Sequence, residues 1–302
     1  MFTYVIKGKL ITLGMEHSVL LHLEFGRYGT VGGETVVRVD EPLPLVATHA
    51  WFLRKKGFSA YAAALNNIQR PLQRSDGYQE YLALLLCQAF RKSIPLQYLL
   101  NFYGDTPAWV EGESAEIIAL RVDGDQKTAR PVVPTSKVLG VQAESADGTL
   151  KWLANPNGVP FCFPDDEMGP EMVFMLRLSN QRLVWVLVRV SSIGEASTTK
   201  SVSPSTLFKQ NPEVMTDVNR LLTSTPQLKT GQASGDVKII RLVVSFSKSA
   251  AASASLQEAL AQEAGNAEDK RYPLASLNMD KCMMVQDAQK ATEAFMESSL
   301  LT

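Results

Sequence analysis

The segment Gly26-Arg27-Tyr28-Gly29-Thr30-Val31 has the spacing of a glycine-rich loop that covers nucleotide phosphates. Such a loop works only with a lysine on the following strand and with catalytic and metal-binding aspartates downstream in HRD and DFG contexts. Arg38 is the only basic residue on the next run and neither triplet occurs, so the segment reads as a β-turn. His17, His22 and His49 form no HExxH and no zinc spacing with cysteine. GxSxG, the GxxxxGK phosphate loop and GxGxxG are also absent, and the common enzyme classes built on them drop out. What remains are charged side chains at the ends of apolar runs. Glu171 follows Gly169-Pro170 at the mouth of Met172 to Leu178, and Arg189-Val190-Ser191 closes the run that begins at Leu183.

These residues need elements to hold them. Residues 171 to 190 read as a β-hairpin across Ser179-Asn180-Gln181, and the second arm, Leu183-Val184-Trp185-Val186-Leu187-Val188, is apolar almost throughout. A strand of that composition is buried on both faces at the centre of a sheet. Glu116 to Leu120 and Asp236 to Phe246 supply further strands, and Ser203-Pro204 opens a helix with Val214, Val218, Leu221 and Leu222 at helical spacing. The strongest helix runs from Gly77 to Arg91, with Asp76 placed to cap it and Gln79 three residues on. Between Pro95 and Pro164, turn residues at short intervals predict one core strand, loops and an extra hairpin. Alternation in Ser18 to Phe25 and Thr35 to Val39 predicts a small β-rich lead-in over residues 1–48. Beyond Lys248 the Ala, Ser, Gln and Glu content predicts a helical or loose tail over 248–302, with Met283-Met284 and 285 to 299 docking back.

The order helix, strand, hairpin, helix, strand, together with a proline-preceded acid on the hairpin, resembles the restriction-endonuclease-like PD-(D/E)xK superfamily. More narrowly, Gly169-Pro170-Glu171-Met172-Val173-Phe174, Trp185 to Ser191, Ser203-Pro204 and Ile240 to Phe246 resemble the nuclease-type C-terminal domains of fungal Crinkler effector proteins. The likeness covers residues 50 to 247. It implies an α/β fold with a mixed central sheet flanked by helices, over a domain of residues 49–247. In that family two or three acidic oxygens hold Mg²⁺, and a lysine orients or deprotonates the attacking water. Carried over, Glu171 supplies one metal-binding acid and Glu80, on the first core helix, a second. Arg189 falls where the family has an acid or glutamine, and Ser191 falls where it has lysine. Lys200 or Lys209 would have to replace that lysine from the following segment.

Both departures oppose catalysis, because Arg189 puts a fixed positive charge where a metal ligand belongs and Ser191 carries no ammonium. The expectation is a catalytically degenerate domain in which Arg189 pairs with Glu171 or Glu80 and replaces the metal's charge. Its partners would be DNA, through a local basic patch, or a protein. An active Mg²⁺-dependent DNase and a non-catalytic interaction module are the alternatives. Glu80 also fits a plain helix start, where the dipole favours a carboxylate. Trp51, Trp109, Trp152 and Trp185 read as core or loop anchors rather than base-stacking platforms.

Composition narrows the partners. Thirty basic and 31 acidic residues in 302 leave a formal charge of −1, so no global field gathers nucleic acid or anionic membrane. Cys87, Cys162 and Cys282 are far apart and odd in number, which fits reduced thiols rather than a disulfide framework. Lys7 and Lys9 interrupt the apolar amino terminus, which reads as a poor signal peptide, and no apolar run approaches a membrane span. The expected location is the nucleus or cytoplasm, with delivery into a host cell as the Crinkler likeness implies.

Overall fold

The computed structural model describes residues 11–13, 27–31, 33–39, 76–123, 126–132, 138–165, 169–191, 238–245, 258, 272–282 and 284–285. The chain divides into two compact units, residues 1–83 with 134–142, and residues 84–133 with 143–302. In the first unit β1 (Ile11–Leu13), β2 (Arg27–Val31) and β3 (Glu34–Val39) form a three-stranded antiparallel sheet in the order β1-β3-β2. Val37 and Val39 are buried and Arg38 between them is exposed, the alternation expected of a strand with one covered face. The segment read as a β-turn, Gly26 to Val31, is mostly strand β2. The turn lies after it, where Val31 pairs with Glu34 and Gly33 takes φ +86°. Gly29 serves the sheet: a Cβ there would overlap Cδ of Arg38, so the missing side chain leaves room for Arg38 to lie across the strand.

Helix α1 (Asp76–Ala89) begins in the first unit and ends in the second. Asp76 is its first helical residue, not the residue before it. Leu82 through Cys87, Ala89 and the following Phe90 are all buried, so the helix has no wet face over this stretch. A helix apolar all round has to be enclosed.

The chain then runs through β4 (Ile94–Pro95), α2 (Leu96–Leu99), β5 (Leu100–Phe102), β6 (Ser114–Asp123) and β7 (Gln126–Pro131). Strand β8 (Gly140–Gln142) falls in the first unit. It is followed by α3 (Ala146–Ala154), β9 (Phe161–Phe163), β10 (Met172–Leu178), β11 (Leu183–Ser191), β12 (Lys238–Ser245) and β13 (Leu274–Leu277). The protein is mixed α/β. In the second unit the strand order is β4-β6-β10-β11-β12-β13-β5, with β7 beside β6 and β9 beside β10. β10 is antiparallel to both β6 and β11, whereas β11, β12 and β13 are mutually parallel. The hairpin turns at Ser179-Asn180-Gln181 as expected, with Gln181 at φ 68° and Leu178 N–H donating to Arg182 O at 2.9 Å. Glu113 accepts from the Asn180 amide at 3.1 Å and from Asn180 Nδ2 at 2.7 Å, which ties this turn to the start of β6.

Two parts of the sequence reading change. The turn-rich stretch from Pro95 to Pro164 contains α3, capped by Ser145, whose side chain accepts from Gly148 N–H at 3.3 Å. The stretch expected to be a helical or loose tail contains β13, which extends the parallel part of the sheet. Of the methionines expected to dock, Met284 is exposed, and the buried side chain there is Cys282. The helix expected after Ser203-Pro204 lies outside the described residues. Among the described residues no helix is long and apolar enough to cross a membrane.

Candidate functional site

Strand register assigns each side chain to a face, because alternate residues point to opposite sides. Met175 pairs with Trp185, Trp185 with Ile239, Leu187 with Arg241 and Arg241 with Leu274. One face therefore carries Glu116, Arg177, Trp185, Arg189 and Arg241, while the other carries Phe174, Leu176, Val184, Val186, Val188, Ile240, Leu242 and Val244. Every charged residue of the central strands β10 and β11 is on the first face. On it Arg177 lies opposite Glu116 in register, its Nε donating to Oε1 at 2.9 Å, a cross-strand ion pair that fastens β6 to β10.

Glu171 and Arg189 meet at the open end of the hairpin on this same face. The register of β10 with β11 would set Glu171 opposite Arg189, but the Glu171 amide donates to Val188 O at 2.9 Å, so the ladder slips by one residue at the strand entry. The slip follows from Pro170, which has no N–H to continue the ladder. The Glu171 carboxylate stands in for the lost main-chain pairing, with Oε2 accepting from Val190 N–H at 2.5 Å. Arg189 closes the other side. Its Nη1 donates to Gly169 O at 2.6 Å, and its Nε stands 3.9 Å from Glu171 Oε1, a Coulombic contact beyond hydrogen-bond range. Gly169, at φ +92°, holds the left-handed conformation that turns its carbonyl to this position. The cluster is partly buried, with side-chain exposures of 30% for Arg189 and 18% for Glu171, so its charge-assisted hydrogen bonds are only moderately screened.

Of the residues singled out in the sequence, the structure thus brings Glu171 and Arg189 together. Ser191 ends β11 and pairs with Ser245 at the carboxyl end of the parallel strands, the end where open α/β sheets place ligands. Lys200 and Lys209 lie outside the described residues. Glu80 lies on α1 in the first unit and is 7% exposed. Two residues escape the sequence reading. Asp165 follows Pro164 just past β9, the strand that pairs with β10 next to Glu171, and repeats the proline-acid pattern of Pro170-Glu171. Arg241 is 2% exposed in the middle of β12. Among the described residues no three His, Cys, Asp or Glu side chains gather as a metal site requires.

The cluster also predicts how variants behave. Glu171→Gln keeps an oxygen for Val190 N–H and should cost under about 1 kcal/mol, whereas Glu171→Leu strands that amide and the guanidinium and should cost about 1–3 kcal/mol. Denaturant midpoints of the two variants measure the difference.

Cys87, Cys162 and Cys282 are free and buried. Burial pushes the Cys162 and Cys282 thiols up to about 12, and the Cys87 thiol further in the same direction. A thiol raised in the folded state stabilises the fold below its unfolded value of 9.0, and this contribution is lost as pH rises above it. At pH 8 the three thiols should stay inert to an aromatic disulfide reagent until denaturant is added, and the unfolding midpoint should fall between pH 9 and pH 11.

Comparison with protein-family models, with curated proteins and with solved structures finds no match.

Proposed function

We propose that the second unit is a nuclease-derived domain of the restriction-endonuclease-like, Crinkler-effector kind that no longer cuts and instead binds nucleic acid, in the nucleus of its own or a host cell. One observation carries this reading: Glu171, the acid that would hold the cation, accepts from the Val190 amide at Oε2 and has the Arg189 guanidinium 3.9 Å from Oε1. A guanidinium repels Mg²⁺ and supplies permanently the positive charge that the metal would bring. The residues present do not fit a divalent cation. The sheet is mixed, with β6, β10 and β11 antiparallel and β12 parallel to β11, which supports the ancestry because the resemblance implies a mixed central sheet. For nucleic acid, β6 and β7 form a two-stranded ribbon on which Arg121 and Arg130 are exposed and share a face, because Arg121 pairs with Thr128 and Ala119 with Arg130. Arginines on such a ribbon suit phosphate contacts.

The test is retention of the full chain on immobilised duplex DNA across a salt series, beside incubation with plasmid and Mn²⁺. Expected are salt-dependent retention that weakens several-fold in Arg121→Ala/Arg130→Ala, and plasmid left intact. Retention absent at low salt overturns nucleic-acid binding in favour of a protein partner, and Glu171→Ala-sensitive nicking overturns loss of cutting.

A further inference from the structure

Helix α3 presents Thr149, Trp152 and Leu153 as its buried side. Trp152 meets Trp185 of β11 edge to face, with ring centroids 5.8 Å apart and planes at 61°. Trp185 belongs to the polar face of the sheet, so α3 packs there. Thr149 is fully buried, and Trp152 and Trp185 are 6% and 2% exposed. Thr149 Oγ1, Trp152 Nε1 and Trp185 Nε1 have no hydrogen-bond partner among the described residues. Orphaned polar atoms at three positions of one seam would cost about 1–3 kcal/mol each if they stayed dry. Indole N–H groups only donate and a hydroxyl does both, so whatever joins them must accept at least two hydrogen bonds. An anion would need a countercharge, which neither an indole nor a hydroxyl provides. Water satisfies the requirement, since it accepts two hydrogen bonds and donates two.

We propose that the seam between α3 and β11 is an internal hydration site in which bound water bridges Thr149, Trp152 and Trp185. The water replaces direct pairing between helix and sheet and fixes the tilt of the Trp152–Trp185 pair. The test is proton exchange spectroscopy on the full chain labelled with ¹⁵N-tryptophan, with Thr149→Val and Thr149→Ser measured for stability. Expected are water cross-peaks of the long-residence sign at the Trp152 and Trp185 indole protons, assigned with Trp152→Phe and Trp185→Phe. Thr149→Val should weaken those peaks and lower the denaturation midpoint, and Thr149→Ser should restore both. A dry seam gives the opposite: no such cross-peaks, and a Thr149→Val protein with a raised midpoint, because an unsatisfied hydroxyl has been removed. Should Thr149→Val fail to fold, the wild-type spectrum decides alone, and missing cross-peaks overturn the proposal.

Discussion

Replacing Arg241 with alanine should destabilise the protein by about 3–5 kcal/mol, and replacing it with methionine by about 1–3 kcal/mol. The guanidinium is buried in β12 between β11 and β13, and its Nε donates to Tyr272 O at 2.9 Å. The Arg241 amide donates to Pro273 O at 2.9 Å, a bond that any residue but proline keeps. Methionine fills much of the volume but leaves the Tyr272 carbonyl unpaired; alanine adds a cavity to that loss. Buried ions can often be exchanged for apolar residues at no cost, but that holds where both partners are replaced together. Here one partner is main chain. The damage should be local: amide exchange protection at Leu274–Leu277 should fall before that at Val184–Val188. Equal loss at both would mean that Arg241 supports the whole sheet rather than the attachment of β13.

Phe174→Ala should cost about 3–5 kcal/mol and lower the melting temperature by about 10 °C or more. Phe174 is 1% exposed on the sheet face opposite Trp185, and its ring tilts against Phe161 of β9 with centroids 5.5 Å apart. Truncation loses transferred area, the ring pair and the close packing around it. Phe174→Leu should recover more than half of the loss. Thermal denaturation of the three proteins decides the matter.

The elements differ in how much of their signal is local. The hairpin of β10 and β11 and the strand β12 are legible in the sequence because they are long apolar runs, the hairpin bounded by Gly-Pro and turned at Ser-Asn, and β11 is central as its almost wholly apolar character requires. β13 is not legible: Leu274-Ala-Ser-Leu is short, and only pairing with Arg241 to Val243 makes it a strand. α3 is hidden because Gly148 and Thr149 weaken its propensity and its cap lacks the glutamate or glutamine of a capping box. At the candidate site, the sequence offers Glu171 or Glu80 as the partner of Arg189, since a charge closing an apolar run needs one, and the strand register places Glu171 beside it. The hydrogen bond from Val190 to Glu171 does not, because it arises from the one-residue slip at Pro170, a property of the register rather than of composition. Arg241 is obscured for a related reason: a single arginine in a strand reads as a solvent-facing position until the neighbours on both sides are known.

Whether Arg189 holds Glu171 in place of a cation is tested most directly by calorimetric titration of Mn²⁺ into the full chain, beside Arg189→Gln/Ser191→Lys. The native protein should give no binding heat at millimolar Mn²⁺, and the double variant should bind in a manner abolished by Glu171→Ala. Glu171-dependent binding by the native protein, or a double variant that stays silent while folded, would contradict that replacement.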